Sequence, residues 1–221
     1  MSSNTRRRGP GRPPVSEAGE GVTRASILQQ AQRLFQERGY SGVAMGDIAA
    51  AVGVTKPTLY YHFPHKETLY TEMVVDILSR IGQGVTRAID THPTAADRLY
   101  ALAYQGFVYA PRNGKMDTMM RDMEIHLAPA DQERIDAAFN RYLMDPLRRI
   151  MREGVTAGEL RPEDPELLAR VWFLLLDAFV GSKGTTDTPL MADRPTLARH
   201  LTQLFLEGAA AHPGSGRPLP E

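Results

Sequence analysis

The 221-residue chain contains no cysteine. That excludes a disulfide framework, thiolate-ligated zinc and a thiol nucleophile, and it suits a reducing compartment, so a cytoplasmic location is expected. Long apolar runs are missing as well. The densest, VWFLLL, stops at Asp177, far short of the roughly 20 residues that cross a bilayer, and no membrane partner is expected. The first thirty residues hold arginines but no apolar block, and no signal peptide is apparent. Catalytic motifs are absent too. GPG at 9–11 does not lie between a strand and a helix, GSKGTT has the wrong order for a phosphate loop, and the six histidines are scattered. Nothing assembles a nucleophile, a base and an orienting group, so neither an enzyme nor a cofactor is expected.

Net charge is also missing, since 26 Lys+Arg balance 26 Asp+Glu. The balance hides a division. Residues 1–66 carry nine basic side chains against four acidic ones, and the rest of the chain carries the compensating excess of acid. A basic front on an acidic body points to a polyanion partner for the front alone.

What is present is helical punctuation. Residues 1–22, rich in Arg, Pro, Gly and Ser, read as a disordered basic arm. Thr23 suits the N-cap of a first helix whose Ile27, Leu28, Ala31, Leu34 and Phe35 share one face, and Gly39 suits a left-handed C-cap. A short helix is expected over 46–52 and is broken by Gly53. Thr55 can cap a third, with Pro57 in its first turn, and Phe63-Pro64 must end it. Three helices in forty residues, the last two joined by a tight turn, make a helix-turn-helix at about 46–65. Helices are then expected over 66–90, 95–110, 115–127, 130–157, 164–181 and 193–210, with no strand signal between them. The fold class is all-α: a helix-turn-helix domain over 23–66, a larger helical domain over 67–211 and a flexible tail over 212–221.

The third helix divides its side chains. At 100° per residue Leu59 and Phe63 lie about 40° apart, while Tyr61 falls nearly opposite, flanked by Thr58 and Tyr60. Leu59 and Phe63 therefore face the core. Lys56, Pro57, Thr58, Tyr60 and Tyr61 are left for a partner, with His62 and Lys66 near the helix end. These residue types suit DNA: lysine for phosphate or guanine, proline ring and threonine methyl for thymine methyls, hydroxyls for phosphate.

The segment GYSGVAMGDIAAAVGVTKPTLYYHFPHKETLY, at 39–70, resembles the DNA-binding region of the TetR family of bacterial transcriptional regulators. The glycine-aromatic pair, D-I-A, G-V, L-Y, H-F and K-E-x-L stand in the family's order. The resemblance implies a helical effector-binding and dimerisation domain behind the helix-turn-helix. It also implies that Tyr60 meets the DNA backbone, Lys56 a base or phosphate, and Lys66 a phosphate. One position departs: where the family offers a capping Ser or Thr before D-I-A, this chain has Ala44-Met45-Gly46.

Further candidates follow from composition. The arm RRRGPGRPP, through Arg6, Arg7, Arg8 and Arg12, suits either a minor-groove contact or a solubilising tail. A methionine-rich stretch near 116–123 is either core or the wall of an adaptable pocket. Given the resemblance, an apolar or aromatic effector is expected among Tyr104, Phe107, Met119, Met120, Met123, Phe139, Tyr142 and Trp172. Asp122 and His126 are four residues apart, but two ligands without a third do not make a metal site. The helix LLARVWFLLLDAFVG is apolar almost all round, and Leu197, Leu201, Leu204, Phe205 and Gly208 form a stripe on the last helix. A homodimer through these last two helices is expected. The expected function is thus a ligand-responsive, dimeric repressor on a palindromic operator. The alternative is a helical small-molecule or lipid carrier that does not bind DNA.

Overall fold

The computed structural model describes residues 23–109, 116–181 and 193–209, all of them helices and their connections. The helices are α1 (Arg24–Arg38), α2 (Met45–Val52), α3 (Lys56–His62), α4 (Lys66–Thr91), α5 (Ala95–Tyr109), α6 (Met116–His126), α7 (Pro129–Phe139), α8 (Asp145–Thr156), α9 (Pro165–Gly181) and α10 (Arg194–Ala209). The expectations for the arm, including Arg6, Arg7, Arg8 and Arg12, and for the tail lie outside the described residues.

Local chemistry accounts for the first three boundaries. Thr23 and Ser26 form a reciprocal cap, each hydroxyl accepting from the other's backbone N–H. Gly39 ends α1 with φ 71° and ψ 171°, a positive φ outside the left-handed helical region that the sequence suggests. Gly53 adopts that region, with φ 79° and ψ 27°, which makes the tight turn between α2 and α3 accessible.

Two apolar clusters fill the molecule. The first joins α1, α2, α3 and the front half of α4, and it reaches into the body through Met123, Leu127, Ile135 and Ala138. The second joins the rear of α4 to α5, α8, α9 and α10 around Trp172 and Phe107. The DNA-binding domain expected to end at 66 therefore shares its core with α6 and α7. Each buried Leu, Ile or Phe stabilises these clusters by about 1.5–3 kcal/mol.

The continuous helix expected over 130–157 contains a π-helical turn at Asn140–Met144, between α7 and α8. Gly82 of α4 makes room for it. A Cβ there would stand 2.9 Å from the Tyr142 Cβ and 3.0 Å from its carbonyl oxygen.

The stripe expected on α10 is split. Leu197, Leu201 and Phe205 are buried within the chain, where α10 packs on α5, and Phe205 meets Trp172 edge-on at 5.2 Å. Leu204 and Gly208 remain exposed.

Candidate nucleic-acid interface

Helix α3 is built as a hinge between core and surface. The Thr55 hydroxyl accepts from the Thr58 N–H at 3.4 Å and pairs with the Thr58 hydroxyl at 2.8 Å, which caps the helix. Pro57 occupies the first turn, where a missing N–H leaves nothing unsatisfied. Phe63 is extended at φ −139°, as its place before Pro64 requires. Leu59 and Phe63 are fully buried. Lys56, Pro57, Thr58, Tyr60 and Tyr61 are exposed, with Tyr60 47% and Tyr61 86% accessible. Two tyrosines left in water on a seven-residue helix form a surface ready for a wet, polar partner.

Arg24 fixes this helix from outside. Its guanidinium lies 4.3 Å from the centre of the Phe63 ring, donates to the His62 carbonyl at 3.0 Å and pairs with Glu72. One side chain thus ties α1, α3 and α4 together. No local pattern announces it, because its partners lie 38 and 48 residues away. His62 is half-buried, its ring edge-on to Tyr61.

Lys66 is not presented beside α3. Its ammonium donates to the Tyr40 carbonyl at 2.6 Å and sits 4.0 Å from the Tyr40 ring centre. Burial lowers its pKa from the ordinary lysine value, and the carboxylates of Glu67, Asp122 and Asp47 oppose that shift. Without DNA, the side chain expected to meet a phosphate thus makes an internal contact, with the Tyr40 carbonyl and ring.

At the start of α2, Ala44 offers no side-chain cap, but the Asp47 carboxylate accepts the Ala44 N–H at 2.8 Å. Lys56 crosses this end of the helix. A Cβ on Gly46 would meet the Lys56 Cε at 2.8 Å and its Nζ at 3.2 Å, so any larger residue would displace the lysine.

Among the described residues, those expected to hold an effector lie in different surroundings. Phe107 and Trp172 are fully buried in the second cluster, and Met123 packs in the first beside α1, α2 and α3. Tyr104 is exposed and stacks on Tyr100. Phe139 spans both clusters, edge-on to Phe173 at 5.1 Å. The side chains of Met119 and Met120 lie outside the described residues. An open cleft of about 400 Å³ lies between α4 and the π-turn. Gly82, Thr86 and Arg87 line one side of it, Arg141, Tyr142 and Pro146 the other. Of the eight expected residues, only Tyr142 lines it.

Asp122 and His126 have a different use from metal binding. The Asp122 carboxylate accepts the Tyr40 N–H at 2.9 Å, and the His126 Nε2 lies 3.2 Å from the Ser41 hydroxyl. The His126 ring stacks on Tyr40 at 4.5 Å. Among the described residues no group of three or more His, Cys, Asp or Glu could hold a metal.

Residues 27–73, which contain α2, α3, Lys66 and Tyr40, match the family model described as bacterial regulatory proteins, tetR family. The likeness extends beyond them. The crystal structure of the TetR family regulator PfmR from Thermus thermophilus is 26% identical. It superposes with a TM-score of 0.66, over 82% of this chain and 97% of that one. The chain belongs to the TetR family of bacterial transcriptional regulators. Another TetR-type relative, the transcriptional repressor KstR2 of Rhodococcus jostii, is 26% identical over 212 residues, spanning 90% of this chain and 97% of its own. The fold is also that of AibR, solved with isovaleryl coenzyme A and operator DNA: TM-score 0.61, 24% identity, 82% of this chain and 96% of that one. As a TetR protein the chain is a DNA-binding regulator and not an enzyme, and the carrier alternative gives way. No described helix is long and apolar enough to cross a membrane.

Proposed function

We propose that this TetR protein is a dimeric repressor whose α3 enters the major groove of a palindromic operator and which a small effector releases. The observation that carries this reading is the division of α3, with Leu59 and Phe63 buried while Lys56, Pro57, Thr58, Tyr60 and Tyr61 share the open face. Pro57 and Thr58 would meet base edges, and Tyr60 and Tyr61 would donate to phosphates. Lys56 beside the first turn of α2 sets an ammonium next to free backbone N–H groups. An anion lying against both would be attracted by each. A phosphate seated there would be held without the hydroxyl that a capping Ser or Thr supplies in the family pattern.

Dimerisation through α9 and α10 is supported by an exposed aliphatic stripe. Leu167, Val171, Leu174 and Ala178 follow one another at helical spacing on α9, and Leu204 and Gly208 are exposed on α10. Leu174 and Leu204 are 64% and 66% accessible. Packed across a two-fold axis, these helices would set two copies of α3 about one DNA turn (roughly 34 Å) or more apart.

The name of KstR2 supports repression, and the isovaleryl coenzyme A bound by AibR supports an effector with an apolar acyl part. The cleft between α4 and the π-turn is a place where such a ligand could act on α4, which carries the DNA-binding helices at its front. A tilt of α4 would change the spacing of the two recognition helices.

The test is binding to DNA from beside the protein's own gene. Wild type should bind it with a Kd on the order of 10⁻⁸ M or tighter at physiological salt. Replacing both Tyr60 and Tyr61 by alanine should weaken that binding at least tenfold (about 1.4 kcal/mol) with the melting temperature unchanged. Equal binding by the two proteins would remove α3 from the interface. For the effector, short acyl-coenzyme A and apolar ligands should raise the melting temperature. A response only to metals or simple carboxylates would refute the acyl reading.

A further inference from the structure

The contact between α6 and the α1–α2 loop has no part in the functions assigned so far. Both polar groups of the Tyr40 backbone are held by parts of the chain that follow the DNA-binding helices. Its N–H donates to Asp122 of α6 at 2.9 Å, and its carbonyl accepts from Lys66 at the start of α4 at 2.6 Å. Its ring lies between Phe35 and His126, with Tyr70 edge-on at 5.1 Å. Ser41, the next residue, meets His126. These contacts join positions 82 and 85 residues apart in the chain.

Apolar packing alone would not fix how this loop sits. Met123 of α6 and Leu127 just past its end bury themselves in the first cluster, but such contact is non-directional and tolerates sliding. The hydrogen bond from the Tyr40 N–H to Asp122 and the one between Ser41 and His126 set an orientation, since such bonds weaken steeply when bent. At the C-terminal end of α6, Gln132 of α7 donates to the Leu127 carbonyl at 3.0 Å and more weakly to that of Met123 at 3.4 Å. Helix α7 packs along α4. A shift of α7 would therefore be carried by α6 to loop 39–44, which runs directly into α2.

We infer that Asp122 and His126 are positioning residues for DNA binding: they tie the α1–α2 loop to α6 and so hold the attitude of α2 and α3 relative to the body. This rests on the proposed use of two recognition helices on paired half-sites. The i, i+4 spacing that resembled half a metal site serves to grip two consecutive residues of one loop.

The test uses full-length protein and two DNA probes. One is the fragment that wild type protects upstream of its own gene, and the other is the same fragment with one half-site scrambled. Asp122→Ala with His126→Ala should reduce affinity for the intact fragment about tenfold, a typical size for coupling between sites, and leave that for the halved one unchanged. Asp122→Asn, which keeps an acceptor oxygen, should stay near wild type. Equal loss on both probes, as local unfolding would give, overturns the inference, and so does a wild-type preference for the intact probe that survives in the double variant. A wild type that binds both probes alike overturns the paired half-site reading and this inference with it.

Discussion

Helices α3 and α9 both carry large side chains on two opposite faces, and the contrast between their outer faces fits the different partner proposed for each. On α3 the inner face is Leu59, with Phe63 just past the helix end, and on α9 it is Leu168, Ala169 and Trp172. The outer residues differ in kind. Tyr60, Tyr61, Thr58 and Lys56 each end in a polar atom, whereas Leu167, Val171, Leu174 and Ala178 end in methyl groups. A face with polar tips keeps its hydration when free and trades it for phosphate oxygens when bound. A face of methyl groups gains only by excluding water, which asks for another apolar surface. On the proposed reading, one chain thus offers two partner surfaces of opposite chemistry, one for DNA and one for a second copy.

The largest effect should come from removing an inner anchor. Leu59→Ala leaves a cavity under α3 and should cost about 2–5 kcal/mol, read as a lowered denaturation midpoint, with DNA binding lost as α3 detaches. The contrast sharpens on the outer face of α9. Leu174→Asp should leave the subunit folded but move it to monomer in sedimentation at micromolar concentration, weakening association by about 2 kcal/mol or more, which is what a central interface residue supplies. A dimer that persists would place the interface elsewhere. The outer face of α3 should respond differently. Lys56→Ala should lower the slope of log affinity against log salt by about 1 and leave the oligomeric state untouched.

The smallest effect concerns how α9 is held on its inner side. Glu166 pairs with Arg148 of α8 and with Arg170, and hydrogen bonds from these two guanidiniums, Arg148 first, hold its pKa down to about 2. A depressed carboxylate pKa contributes stability above the unfolded value, near 4.5, and loses it as pH falls toward 2. Glu166→Gln should therefore lower the melting temperature slightly at pH 7, and the difference should vanish as pH approaches 2. The group is exposed, so the change should be small.

The sequence was informative where structure is decided within a few residues. Thr23, Gly53, Thr55, Pro57 and Pro64 placed α1 to α3 to within about a residue, because caps and prolines act locally. The two faces of α3 followed from helical spacing for the same reason. Distant partners hid the rest. The inward turn of Lys66 depends on a carbonyl 26 residues earlier, and Arg24 on an acid 48 residues later. The π-turn at Asn140–Met144 depends on Gly82 lying beneath it. On α10 the apolar stripe was visible, but α5 decides which of its residues are covered. The expected effector residues share a type, aromatic or methionine, that serves a core as well as a pocket, so composition could not separate the two uses.

The role of α3 is open to direct measurement by fluorescence anisotropy of a DNA fragment from beside the gene, titrated with wild type and with the Tyr60→Ala, Tyr61→Ala double variant. Binding by the variant should be at least tenfold weaker, about 1.4 kcal/mol, with the same melting temperature and the same dimer. Unchanged affinity in a folded, dimeric variant would contradict the proposed interface, since the open face of α3 would then have no part in binding DNA.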